Sequence, residues 1–158
     1  MLSTTWNTGS DSEKSFREIV EIAKTYIKNG AKIFIGSDSF TSNKKITFAS
    51  AICLQGNSNP GRYFFIRECV DKNRFNSLAS KITEETRRSI EIAELLLQFE
   101  KISPENIELH LDVSPFHLNN GTSRFSDMLK GYVAGHGLEC RIKPNAWASQ
   151  TVADRHSK

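Results

Sequence analysis

Apolar residues recur along this chain with two different periods, and the change of period separates predicted strands from predicted helices. Three stretches rich in β-branched and aromatic residues predict strands: residues 33–38 within IFIGSDS, 46–54 (ITFASAICL) and 62–70 (RYFFIRECV). Short polar or Gly- and Pro-containing segments separate them. Because such short connections cannot hold a crossover, we expect an antiparallel meander.

Helical spacing predicts four helices around these strands. The first follows Ser10 and Glu13, which fit a capping box, and its apolar stripe runs from Phe16 to Ile27. Residues 1–9 before it are small and polar and predict a loose tail. The remaining predicted elements, in chain order, are a helix over about 76–100, a fourth strand over 107–112 (IELHLD), a helix from about 125 to 133, a fifth strand over 138–142 (LECRI) and a final helix over 146–153 or beyond.

Two of the predicted strands end in an aspartate, Asp38 and Asp112. A strand reached through a long helical crossover is normally parallel to its neighbour, with a right-handed connection. If the fourth strand lies beside the first, Asp38 and Asp112 emerge at the same edge of the sheet. Two like charges brought together are unfavourable unless a cation lies between them. We therefore expect a cation site at this edge.

The long crossover helix carries an acidic residue on its apolar side. Glu85 lies three and four positions from Ile82 and Ser89, which mark the buried face. Charged residues are seldom buried without a partner or a metal, so Glu85 is a candidate third ligand. A small change of helix phase would select Glu84 instead.

Length and composition bound the class of protein. A chain of 158 residues can bury one core, so we expect a single domain over 1–158. Three cysteines without a C-x-x-C pair favour reduced thiols and a cytoplasmic location. No apolar run approaches the ~20 residues that span a bilayer, and no signal peptide is expected. The formal net charge of +3 permits a polyanionic partner without requiring one.

Without the first helix, the predicted order is β-β-β-α-β-α-β-α, the connectivity of the ribonuclease H fold. We therefore predict an α/β, ribonuclease-H-like domain: a five-stranded mixed sheet, with three antiparallel and two parallel strands, flanked by helices and carrying an extra N-terminal helix. Four acids fall on the first strand, the crossover helix, the end of the fourth strand and the last helix of this order, in a D-E-D-D arrangement: Asp38, Glu85, Asp112 and Asp154.

Four motifs lie between about Gly30 and the C-terminus: IGSDS, GRYFF, ELHLDVSP and KPNAWASQTVADRHSK. Together they resemble those of a family of small, mostly bacterial proteins with a ribonuclease-H-like domain, formerly a domain of unknown function and grouped with predicted nucleases. This resemblance implies the ribonuclease-H-like fold, a nuclease activity, and Asp38, Asp112 and Asp154 as acidic site residues, with Glu85 less securely placed than these.

These residue types suit a two-metal mechanism, in which carboxylates hold two Mg²⁺ or Mn²⁺ ions ~3.5–4 Å apart. Hard cations select oxygen ligands. In this hypothesis Asp38 bridges both ions and the other three acids complete the site. His156 is a candidate proton shuttle or phosphate contact, and His117 is a weaker one. His110 is predicted to be structural.

The leading interpretation is a metal-dependent nuclease acting on RNA, DNA or a hybrid. The alternatives are a non-catalytic module that binds nucleic acid or protein, and an actin-like phosphotransferase, for which the chain has neither two domains nor Gly-rich phosphate loops. Trp147 could stack on a base but fits core packing better. Basic residues could form a phosphate-binding rim: Lys44, Lys45, Arg62, Arg67, Arg124, Lys143, Arg155 and Lys158.

Overall fold

The computed structural model describes residues 4–56, 60–113 and 125–158. The strands are β1 (Thr5–Thr8), β2 (Glu13–Ser15), β3 (Lys32–Thr41), β4 (Lys45–Gln55), β5 (Arg62–Asp71), β6 (Ile107–His110) and β7 (Glu139–Arg141). The helices are α1 (Phe16–Lys28), α2 (Leu78–Leu97), α3 (Ser126–Gly135) and α4 (Asp154–Ser157), with a π-helical segment (Ala148–Ala153) directly before α4. Within the described ranges, no helix combines the length and apolar character needed to cross a membrane.

The strands form one mixed sheet in the order β2-β1-β5-β4-β3-β6-β7. Strands β3, β4 and β5 are antiparallel neighbours, whereas β6 pairs in parallel with β3 and β7 in parallel with β6. The predicted α/β class, a mixed sheet flanked by helices, is confirmed. The predicted number of five strands is wrong, because β1 and β2 form a hairpin that adds to the sheet beside β5.

The N-terminal region differs from its prediction for the same reason. The prediction of a loose tail over residues 1–9 is wrong for Thr5–Thr8. These residues form β1, and Trp6 within it is completely buried. The first helix begins later than Ser10 and Glu13 indicated. Its capping box is formed by Ser15 and Glu18, which have the same S-x-x-E spacing.

Side chains alternate between the two faces of the sheet and build separate apolar layers. On β3, Ile33 and Ile35 join the main core beneath α1, α2 and α3. Phe34, between them, packs instead with residues 147–158, which we call the C-terminal segment. The opposite layer is small. It contains residues of β4, of β5 and of the C-terminal segment: Ala51, Cys53, Tyr63, Phe65, Trp147, Ala148, Val152 and Ala153. Trp147 therefore contributes to core packing.

The C-terminal segment lies directly on β3 because one residue there has no side chain. A Cβ atom at Gly36 would lie 2.4 Å from the backbone nitrogen of Ser149. The imidazole of buried His110 fixes the same segment, since its Nδ1 accepts a 3.0 Å hydrogen bond from the backbone N–H of Ala148. Its Nε2 lies 3.0 Å from Glu108. Together these contacts set the position from which α4 begins.

Candidate functional site

Three carboxylates from three different elements converge at one end of the sheet. Asp38 lies on β3, Glu85 on α2 and Asp112 just after β6, and each offers an oxygen within 4.8 Å of the others. Asp38 is only 7% exposed. We call these three residues the acidic cluster.

The parallel pairing of β3 and β6 explains why the two aspartates meet. Gly36 is paired with His110 at the end of the ladder. Two residues further along each chain, Asp38 and Asp112 therefore stand side by side, and residues at i and i+2 share a face. Strand connectivity and register are sufficient to bring these two carboxylates together.

Helix α2 supplies Glu85 to the acidic cluster. The hydroxyl of Ser39 donates a 2.6 Å hydrogen bond to Oε2 of Glu85 and joins the helix to β3 at this point. The alternative residue, Glu84, accepts hydrogen bonds of 2.7 and 2.8 Å from the Nε atoms of Arg87 and Arg88. Glu84 is thus engaged elsewhere, and Glu85 is the glutamate that the structure brings to the cluster.

Asp154, the first residue of α4, lies beside Asp38. Its carboxyl group is within hydrogen-bonding reach of the Asp38 carboxyl, although it is outside the group of three whose oxygens all lie within 4.8 Å. Ser157 approaches Asp38 from the same helix, with its hydroxyl 3.5 Å from Oδ2. The ammonium group of Lys158 lies 3.3 Å from Asp154. The last turns of the described chain therefore cover Asp38.

The proximity of these groups changes how they ionise. Burial raises the pKa of Asp38 to about 9, and the negative charge of Glu85 and hydrogen bonding to Asp154 and Asp112 add to this effect. Burial also raises the pKa of Glu85 to about 8; the hydrogen bond from Ser39 opposes this shift and the charge of Asp112 reinforces it. Without a cation, the acidic cluster retains protons at neutral pH.

This donor set fits a hard divalent cation. The cluster offers only carboxylate oxygens, the ligands preferred by Mg²⁺ and Mn²⁺, and it contains no thiolate or imidazole. Burial is the largest cause of the raised pKa values of Asp38 and Glu85, and neighbouring acids add to it, so a bound cation would favour the charged forms that burial disfavours. Asp38, Glu85 and Asp112 could hold such an ion, and Asp154 could join them through its position beside Asp38.

The histidines have different environments. The ring of His156 stacks on Phe65, with 3.6 Å between ring centroids, and its Nε2 lies 3.1 Å from the Tyr63 hydroxyl. Its pKa is lowered by burial and by the positive charges of Arg155 and Arg67. His110 makes the structural contacts described above, and His117 lies outside the described residues.

Two residues make contacts at the site that the sequence analysis did not predict. Ser39 follows Asp38 directly, and its only sequence signal was a serine two positions after Ser37 in IGSDS. Lys143, expected only as one of several rim cations, forms an ion pair with Asp112 at 3.0 Å. Both contacts depend on neighbouring elements, so linear spacing could not reveal them.

Comparisons with known proteins agree with this architecture. The family model described as Ribonuclease H-like matches residues 14–158. The uncharacterized protein YkuK of Bacillus subtilis (strain 168) is 24% identical over 166 aligned residues, which cover 94% of this chain and 94% of YkuK. No solved structure matches. Because the family model covers nearly the whole chain, the resemblance inferred from the motifs is confirmed, and this protein belongs to the Ribonuclease H-like family.

Proposed function

We propose that this protein is a metal-dependent nuclease that hydrolyses phosphodiester bonds in RNA, DNA or a hybrid. The supporting observation is the acidic cluster: three carboxylates with oxygens within 4.8 Å of one another at the end of the parallel strands. Membership of the Ribonuclease H-like family indicates the same general chemistry. The fold alone would not carry this proposal, because unrelated functions share folds.

In this proposal Asp38, Glu85, Asp112 and Asp154 hold Mg²⁺ or Mn²⁺. When bound, the metal supplies an activated water molecule and stabilises negative charge on the leaving oxygen. The oxygen of water would lose a proton and form a bond to phosphorus, while the bond to the 3′ oxygen breaks and that oxygen takes up a proton, which leaves a 5′-phosphate and a 3′-hydroxyl. The donor set given above is suited to this chemistry because it contains only oxygen ligands.

The residues of the site have different roles in this proposal. Asp38 is buried at the centre, so it anchors the site, and Ser39 holds Glu85 in place from the neighbouring position. The side chains of Asp112 and Asp154 are 22% and 38% exposed. The more exposed side of the site is therefore the side from which a phosphate can approach.

His156 is a separate part of the proposal. The imidazole contacts Phe65 and Tyr63, and a packing role would explain these contacts as well as a proton shuttle would. General acid–base catalysis typically contributes about 10²-fold or more. A His156→Ala variant whose kcat falls by about 10²-fold supports the shuttle, whereas a change below about threefold assigns His156 to packing.

A cleavage assay tests the proposed activity. End-labelled RNA, DNA and hybrid duplexes would be incubated with wild type, Asp38→Asn and Asp127→Asn, with Mg²⁺, Mn²⁺ or a chelator. Asp127 is an exposed acid in the first turn of α3 and serves as the matched control. We expect metal-dependent cleavage by wild type and the control, and background cleavage by Asp38→Asn.

Two results would contradict the proposal. Metal-dependent cleavage that survives in Asp38→Asn would place the chemistry elsewhere. Nucleic-acid binding by wild type without cleavage of any substrate, in either metal, would favour the non-catalytic binding module.

A further inference from the structure

Lys143 is held beside the acidic cluster by its own backbone. The parallel pairing of β6 and β7 continues past both strands, since the N–H of Leu111 donates to the carbonyl of Arg141 at 2.8 Å. The N–H of Lys143 then donates to the carbonyl of Val113 at 2.9 Å. These bonds fix residue 143 next to residue 112, so the meeting of their side chains is built into the sheet.

The Lys143 ammonium group lies among the carboxylates. Its Nζ is 3.0 Å from Oδ1 of Asp112, and the two side chains are 35% and 22% exposed. Burial, the largest influence on Glu85, raises the pKa of that residue to about 8, and the positive charges of Lys81 and Lys143 partly oppose it. Lys143 therefore acts electrostatically on two members of the acidic cluster.

A second lysine, Lys81, also lies close enough to Glu85 to affect its pKa. Lys81 lies one turn before Glu85 on α2, and its ammonium group donates a 3.3 Å hydrogen bond to the hydroxyl of Thr41. Unlike Lys143, it has a neutral hydrogen-bond partner. Of these two lysines, Lys143 is the one that forms an ion pair with a carboxylate of the cluster.

A lysine and a divalent cation cannot share Asp112 without mutual repulsion. Their like charges would lie within a few ångströms of each other, where Coulomb repulsion is appreciable even at a protein surface. The lysine stem is long and flexible, and its ammonium group is a compact donor for phosphate oxygens. Its partial exposure leaves room for the ammonium group to turn from Asp112 towards solvent.

We infer that Lys143 is a substrate-binding residue, which exchanges Asp112 for a phosphate oxygen of the nucleic-acid backbone when a divalent cation occupies the acidic cluster. This inference rests on the proposed function. Lys143 then competes with the metal in the absence of nucleic acid and contributes to substrate binding in its presence. Because linkage between two ligands is reciprocal, metal and nucleic acid should each strengthen the binding of the other.

The first measurement is Mn²⁺ affinity by isothermal titration calorimetry, without nucleic acid. The proteins are wild type, Lys143→Met, Lys143→Gln and the matched control Lys130→Met, an exposed lysine on α3. Loss of the competing ammonium group should tighten Mn²⁺ binding about threefold, the size expected for a partly exposed ion pair. The Lys130→Met control should bind Mn²⁺ like wild type.

The second measurement is binding of fluorescein-labelled single-stranded RNA and DNA with Mn²⁺ present, by stopped-flow anisotropy recorded before cleavage. Lys143→Met and Lys143→Gln should bind about three- to tenfold more weakly than wild type. The slope of log affinity against log salt should shrink by roughly 0.7, the value for one lost phosphate contact on a single strand.

The combination of opposite effects separates this inference from a structural role. Tighter Mn²⁺ binding together with weaker nucleic-acid binding supports it, because a variant that merely perturbs the fold would weaken both. Unchanged or weaker Mn²⁺ binding in the Lys143 variants, or unchanged nucleic-acid binding, would overturn it while leaving the proposed function intact. Failure of wild type itself to bind Mn²⁺ would instead reject the proposed function and, with it, this inference.

Discussion

The hydroxyl of Ser39 donates a 2.6 Å hydrogen bond to Oε2 of Glu85. This bond connects β3 to α2 at the position directly after Asp38. It also opposes the effect of burial, which raises the pKa of Glu85 to about 8. The hydroxyl therefore stabilises the charged form of Glu85, the form that a metal ion requires.

Ser39→Ala should weaken metal binding by raising the pKa of Glu85 further. We expect Mn²⁺ affinity at neutral pH to fall about tenfold, because a hydrogen bond to a charged group contributes roughly 1.5 kcal/mol. The loss should shrink as pH rises above about 8, where Glu85 ionises in any case. Calorimetric titrations at several pH values would measure this, with the exposed Ser42→Ala as the control. A loss that is independent of pH would mean that Ser39 acts on packing rather than on Glu85.

Ionisation of Asp38 should oppose folding in the metal-free protein. Burial and the neighbouring acids raise its pKa from 3.8 to about 9. The folded state therefore keeps a proton that the unfolded chain releases near pH 4. The stabilisation that protonated Asp38 contributes is fully present below pH 3.8, the pKa of this group in the unfolded chain, and it is lost as pH rises towards about 9. Within that window the free energy of unfolding falls by up to about 1.4 kcal/mol per pH unit from this group alone.

Asp38→Asn removes this titration and should be neutral or stabilising in a chelator at pH about 8. The amide can still donate a hydrogen bond to a neighbouring carboxylate, as the protonated acid does. Denaturant unfolding of both proteins across the pH range would measure this. The free energy of unfolding of the variant should increase relative to that of wild type as pH rises. A variant less stable than wild type at pH about 8 would show that the ionised Asp38 makes a structural hydrogen bond.

Gly36→Ala should displace the C-terminal segment and, with it, Asp154. The added Cβ would lie 2.4 Å from the backbone of Ser149, and a backbone contact cannot be relieved by a rotamer change. We expect a stability loss of about 1–3 kcal/mol, typical of overpacking, and a large fall in cleavage. Gly131→Ala on α3 is the matched control: apart from its own helix, no atom of the described residues lies within 4 Å of a Cβ added there, so it should stabilise by up to about 1 kcal/mol. If the two variants changed cleavage equally, the close approach at Gly36 would not be needed to position Asp154.

The convergence of the strand acids was predictable because it follows from connectivity. A crossover helix makes the following strand parallel, and parallel strands end at the same edge of the sheet. The sequence alone therefore predicts that Asp38 and Asp112 lie together, as the parallel pairing of β3 and β6 places them. The choice between Glu84 and Glu85 was not predictable in this way. Adjacent helix positions differ by only about 100°, and the outcome depends on the arginines that hold Glu84 and on Ser39.

The N-terminal hairpin could not be predicted from periodicity. Strands β1 and β2 have four and three residues, too few to show a clear alternation of polar and apolar side chains. The one available signal was Trp6, a large aromatic residue in a polar segment, which is completely buried. The S-x-x-E sequence at Ser10, from which the start of α1 was predicted, lies within the hairpin, and a second one at Ser15 forms the capping box.

The central claim is that the acidic cluster, joined by Asp154, is a divalent cation site. Calorimetric titration of Mn²⁺ into wild type, Asp38→Asn and the control Asp127→Asn tests it most directly. Repeating the titration in buffers of different ionisation enthalpy counts the protons released. We predict binding with proton release by wild type and the control, because Asp38 and Glu85 hold protons at neutral pH. Asp38→Asn should lose more than about tenfold in affinity, since even residues behind the ligands contribute that much. Mn²⁺ binding by Asp38→Asn equal to that of wild type would contradict the account.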